Sequence, residues 1–127
     1  MGVRFAIALG ALLIFGSHSY ATEFGLMGEG TSTCAEILQL HPAFGNDGGA
    51  VVLAWAQGYM SGMNMDRVVN KAHKIAQGQP IKSLGDVTIQ GQMAFLLNYC
   101  ENHPLAHFTL AVQELYVALP DVKALKN

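Results

Sequence analysis

Two cysteines, Cys34 and Cys100, are the only ones in this 127-residue chain, and a bond between them would close a loop of more than half its length. On the chain-entropy account, a loop that long stabilises a fold by about 4 kcal/mol, set against the roughly 5–15 kcal/mol a small domain has in all. Whether the bond forms depends on where the chain resides, and the first residues bear on that. Arg4 precedes an apolar run over residues 5–15, followed by Ser19, Tyr20 and Ala21. The run is about half of the ~20 residues a spanning helix needs, and small residues at 19 and 21 fit a signal peptidase site. The expectation is a signal peptide over residues 1–21, cleaved after Ala21, and export to the periplasm. A retained membrane anchor is the alternative, disfavoured by the single basic residue and the short run.

The remaining residues, 22–127, have the length of one domain. They carry six lysines or arginines against nine carboxylates, a formal charge of −3, which offers no attraction for nucleic acid or anionic lipid. In an oxidising compartment Cys34 and Cys100 are expected to close one structural disulfide. A redox-active pair would favour a C-x-x-C spacing, which is absent.

Period and capping signals predict helices throughout. Gly25, Gly28 and Gly30 read as a flexible lead-in. Thr33-Cys34-Ala35-Glu36 reads as a capping box opening a helix that stops before Pro42. Residues 45–49 read as a turn. A second helix follows, with Val51, Trp55, Tyr59 and Met63 inward and a small stripe at Ala54, Gly58 and Gly62. Two glycines inside a helix cost roughly 1 kcal/mol each, so either another helix backbone approaches closely or the stripe forms a groove. A weaker segment over residues 66–77 puts Val68, Ala72 and Ile75 inward and Arg67, Lys71 and Lys74 outward, ending at Gly78 and Pro80; the basic residues make either a solvated face or a partner-binding arm. A helix from near Asp86 should bury Ile89, Met93, Leu96 and Cys100. The last, capped by Asn102 or His103 with Pro104 in its first turn, should bury Leu105, Phe108, Val112, Leu115 and Leu119. With no hairpin signal or repeat, the fold expected is all-α, a small bundle of four to five helices around one core.

Catalytic patterns are missing. Gly58-Tyr59-Met60-Ser61-Gly62 is out of register for a nucleophile elbow, and neither HExxH nor a phosphate-binding glycine loop occurs. The expectation is a non-enzymatic protein without a cofactor. Two metal-binding alternatives stay open: His103 and His107 with Glu101, and a thioether cluster of Met60, Met63 and Met65 suited to cuprous copper. In acid the nine carboxylates neutralise, and the mature chain would carry roughly +11, enough self-repulsion to loosen a compact state.

At Thr33-Cys34-Ala35-Glu36-Ile37-Leu38-Gln39-Leu40-His41-Pro42 and at Tyr99-Cys100-Glu101-Asn102-His103-Pro104, the chain resembles the HdeA/HdeB family of small periplasmic acid-stress chaperones. The resemblance implies a compact helical domain with one disulfide joining these segments. It also implies a homodimer at neutral pH that opens in acid to hold unfolding client proteins. The stretch over residues 55–64 and the long basic connector depart from that family. In layout the chain is also similar to the Rap1a and Tai class of periplasmic immunity proteins, which bind a toxin or cell-wall enzyme, although their extra cysteines are missing. Both resemblances imply protein binding, and the candidate surface is Trp55, Gly58, Tyr59, Gly62, Met63, Arg67 and Lys71.

Overall fold

The computed structural model describes residues 25–43, 45–75 and 79–123; the expected signal peptide, its cleavage point and Gly78 lie outside them. The described residues form four α-helices and no sheet: α1 (Cys34–Ala43), α2 (Gly45–Ala72), α3 (Ile89–Asn102) and α4 (Phe108–Ala118), preceded by one 3₁₀ turn at Gly28–Thr31. No described helix is long and apolar enough to cross a membrane. The expected all-α bundle with one disulfide is therefore present, and Cys34 and Cys100 are bonded at the centre of the core.

The capping box at the start of α1 forms as its spacing predicts. The Thr33 amide donates to Glu36 Oε2 at 2.6 Å, and the Glu36 amide donates back to Thr33 Oγ1 at 3.3 Å. Two further orphan donors of this helix end are met from a distant loop: Cys34 N–H reaches Ala106 O at 2.8 Å and Ala35 N–H reaches Pro104 O at 2.9 Å. Hydrogen bonds from Thr33, the first of them through its backbone, hold the Glu36 carboxyl below its ordinary value of 4.5, helped by the charge of His107. A depressed carboxylate pKa means stability that is complete above the unfolded-state value and is lost as pH falls through the folded one. The urea midpoint should consequently drop as pH falls from 5 to 3, and Glu36→Gln, which keeps the cap without the charge, should drop less. Parallel curves for the two proteins would show that the cap carries no acid sensitivity.

Several boundaries move from where the residue pattern put them. The glycine-rich lead-in is a built turn: the Trp55 indole lies against Gly30, where a Cβ would sit 2.1 Å from its ring, while Gly28 adopts φ +78°. Only glycine fits both positions. Helix α1 continues through Pro42 to Ala43, and the residues read as a turn at 45–49 are the first of α2, tertiary context overriding weak propensity. The segment over 66–77 is no separate helix. Helix α2 ends at Ala72 in a Schellman motif, with Lys74 left-handed at φ 55° and Ile75 N–H donating to Asn70 O at 2.9 Å.

The start near Asp86 shifts to Ile89, where Thr88 Oγ1 caps the Gly91 amide at 3.1 Å. His103 ends α3 instead of opening α4: its amide bonds back to Tyr99 O and Cys100 O. Pro104 and Leu105 form an exposed turn, and α4 begins at Phe108.

The residues buried on α2 lie beside the stripe expected to face inward: Val52, Leu53, Ala56 and Met60. Of that stripe, Trp55, Tyr59 and Met63 pack against the core, half-buried, whereas Val51 is exposed. Val68, Ala72 and Ile75 also face solvent, as does Ile89 on α3, with Met93 half-buried. Helix α1 packs on α2 and α3, and α4 on α2 and α3, around Phe108, Val112, Leu115 and Leu119. Burial of these side chains at about 25 cal/mol per Å² drives the assembly.

Candidate functional site: a groove along the second half of helix α2

The groove begins with a glutamine and an asparagine that no motif marks. Gln92 is buried on α3, and its amide donates to Leu84 O and Val87 O, both at 2.9 Å, while accepting from Gln57 at 3.3 Å. The chain between α2 and α3 is thereby folded back onto the bundle. Asn64 then clasps that returning segment: Nδ2 donates to Lys82 O at 2.8 Å and Oδ1 accepts from Lys82 N–H at 2.9 Å. The side chain thus takes the place of a neighbouring strand. Oδ1 also accepts from the Tyr116 hydroxyl at 2.7 Å.

Arg67 completes this wall. Its guanidinium donates to Pro80 O and lies over the Tyr116 ring at 4.6 Å, a stacked cation–π arrangement. On the outer side, Lys82 pairs antiparallel with Asp121 and bonds its carboxylate at 2.8 Å. Burial raises the Tyr116 pKa above 10.0, opposed by the charges of Arg67 and Lys82. The hydroxyl therefore keeps its proton at neutral pH and remains a donor to Asn64.

Between this wall and α2 lies an open groove of about 1200 Å³. Gly58 and Gly62 belong to its floor, and a Cβ at either would meet nothing within 4 Å. Of the two explanations for these glycines, close approach of another helix is thus excluded among the described residues. Tyr59 and Met63 supply apolar lining, and Lys71 and Lys74 a cationic margin. Because open space surrounds Gly62, Gly62→Ala should raise stability by about 1 kcal/mol through helix propensity alone. A higher melting temperature with unchanged circular dichroism is expected; a lower one would mean that the site is tighter than the geometry indicates.

Six of the seven residues expected to form a binding surface, Gly58, Tyr59, Gly62, Met63, Arg67 and Lys71, line the groove. Trp55 does not. Its Nε1 donates to Met27 O at 2.9 Å and its ring stacks on Tyr59, with centroids 5.3 Å apart, so it holds the lead-in to the bundle. Arg67 is committed to the wall, which leaves Lys71 and Lys74 as the other cations lining the groove.

The metal-binding alternatives are not brought together. Met60 is buried in the core while Met65 points to solvent. The Nδ1 atoms of His103 and His107 engage separate carbonyls, Tyr99 O at 3.0 Å and Thr31 O at 3.2 Å. Among the described residues, no group of three or more histidines, cysteines or carboxylates is placed to hold a metal. Of the nearby hydroxyls, that of Tyr59 in the groove accepts from Gln113 at 2.9 Å, and Ser61 Oγ, outside it, donates to Gln57 O at 2.7 Å within its own helix. What the groove can do chemically is receive an extended chain, with apolar contact from Tyr59 and Met63, the Asp66 carboxylate bonded to Asn70 at 2.9 Å, and the two lysines at the margin.

No protein-family model, curated protein or solved structure matches the chain.

Proposed function

We propose that the chain, once exported to the periplasm, is a non-enzymatic binding protein that holds an extended, acidic segment of another protein in the α2 groove, as an immunity or inhibitor protein would. The observation that carries this reading is the floor at Gly58 and Gly62: two helix-weakening residues with open space around them. They lie in a groove margined by Lys71 and Lys74. A residue that costs roughly 1 kcal/mol in a helix and makes no contact in return is accounted for if something else fills the space.

The test is binding of a purified cell-wall amidase or toxin encoded beside this chain, measured by calorimetry at pH 7. Lys71→Glu with Lys74→Glu should weaken binding at least tenfold, as should Gly62→Leu, which fills the floor. Arg67 is left intact because its loss would displace the wall itself. Undiminished affinity in both variants would remove the groove from the reading.

A second reading, an acid-stress holdase that binds unfolding proteins, is favoured by a separate observation. Two fastenings involve carboxylates: Glu36 at the head of α1, and Asp121, which follows α4 and binds Lys82 on the segment that walls the groove. The Glu36 cap would weaken in acid while the mature chain charges to roughly +11, and the disulfide would limit how far it opens. Purified protein at pH 2–3 should then suppress aggregation of a denaturing client at a stoichiometric ratio. A protein that stays compact there and protects nothing would end this reading and leave the first untouched.

A further inference from the structure

The lining of the groove changes character along α2. Gly58, Tyr59, Gly62 and Met63 come first and carry no charge; Asp66, Arg67 and Lys71 follow, and then Lys74, just past the helix end. Arg67 is held in the wall by Pro80 O and the Tyr116 ring. The other three form no ion pair with a described residue; the pair present among the described residues is Lys82 with Asp121. The Asp66 carboxylate instead accepts from the Asn70 amide at 2.9 Å, a neutral group where a cation would have compensated it. Arg67 and Lys71, four apart on one helix, repel each other. One negative and two positive charges thus lie along the groove in a fixed order, each without a counterion among the described residues.

That order constrains an occupant more narrowly than net charge does. Along the helix axis, at 1.5 Å per residue, Gly62 to Asp66 is roughly 6 Å and Gly62 to Lys71 roughly 14 Å. An extended chain advances about 3.3 Å per residue and sends alternate side chains to one side. The two steps therefore correspond to about two and about four residues of such a chain. Three side chains on the same side, each two residues after the last, reach the three places in turn.

We propose that the segment received by the groove reads apolar, basic, acidic at every second residue, an inference that rests on the groove being the binding site. A bulky aliphatic side chain occupies the hollow over Gly62, where a Cβ would meet nothing within 4 Å, with Tyr59 and Met63 as its apolar surroundings. A lysine or arginine two residues on lies against Asp66. A carboxylate two residues further lies against Lys71, and a second one follows it toward Lys74. A segment acidic throughout is disfavoured even though the lysines attract it, because one of its carboxylates would be set against Asp66. Like charges brought together across an interface reject the wrong partner, so the place of a single charge, and not the total, sets which acidic segments are held.

Two dye-labelled peptides, Leu-Ser-Lys-Ser-Glu-Ser-Glu and Leu-Ser-Glu-Ser-Glu-Ser-Glu, differ only in the third residue and test this order by fluorescence anisotropy with the oxidised protein at pH 7. The lysine peptide should bind about tenfold tighter, the reverse of what attraction to Lys71 and Lys74 alone would give. Asp66→Lys should invert the preference with circular dichroism unchanged, and Gly62→Leu should weaken both peptides by filling the hollow. Equal affinities, tighter binding of the all-glutamate peptide, or a preference that survives Asp66→Lys would overturn the proposed order. So would a lysine peptide that fails to bind at about a millimolar. The groove itself is judged separately, by toxin calorimetry with Lys71→Glu and Lys74→Glu: if those reversals weaken toxin binding while the peptides are not told apart, the groove stands without the order, and if they do not, the groove reading falls as well.

Discussion

Reducing the Cys34–Cys100 bond is expected to lower the stability of this protein by about 4 kcal/mol, one of the two largest losses expected here. Each sulfur is fully buried, Cys34 in the first turn of α1 and Cys100 in the last turn of α3. The bond spans a sequence separation of 66, so the loop it closes contains all of α2 and the segment that walls the groove. Without it the unfolded chain regains the freedom of that loop, while the folded chain keeps nearly all its contacts. For a domain with roughly 5–15 kcal/mol in total, the reduced protein should be marginal at 37 °C. Urea unfolding with and without reductant measures this, and Cys34→Ala with Cys100→Ala should reproduce the loss. A shift below about 1 kcal/mol would mean that the reduced chain retains the loop by other means.

Tyr116→Ala should cost a comparable amount, about 3–5 kcal/mol, the range for removing a buried aromatic side chain. Tyr116 is fully buried on α4, and its loss would do more than leave a cavity. The ring supports Arg67 from below, and the hydroxyl holds the Asn64 amide that clasps Lys82. Tyr116→Phe separates the two effects: it should cost only about 1 kcal/mol, one hydrogen bond. Hydrogen exchange supplies a local readout. The Lys82 amide, bonded to Asn64, should exchange faster in Tyr116→Ala by more than the global loss of stability accounts for. Equal changes at Lys82 and in the core amides would mean that Tyr116 stabilises the whole fold without holding the wall.

Residue pattern alone led to the bundle, the capping box and the cysteine pairing, because each depends on neighbours within one or two turns or on there being just two thiols. It also led to most of the groove: the stripe at Gly58 and Gly62 and the basic residues that follow share one helix, and helical spacing brings them together. The wall was not legible. Asn64, Gln92 and Tyr116 belong to no motif, and their roles arise only when Lys82, Leu84 and Val87 are folded back against them. The only trace available beforehand was an amide residue on an otherwise apolar helical face, where a buried polar group must find partners.

The phase of α2 could be read only in part, for a related reason. The helix has apolar residues on two opposite sides, and a periodic pattern does not say which side meets the bundle. The choice of Val52, Ala56 and Met60 over Val51, Met65 and Val68 was made by packing against α1, α3 and α4. Likewise, Pro42 and the residues at 45–49 are poor helix formers by local preference, worth at most a few kcal/mol. What the chain determines by itself is which segments are helical and where one covalent tie is available. Which helix faces are covered, and hence where a partner can still be received, follows from close packing among segments far apart in the chain, whose combined burial outweighs any local preference.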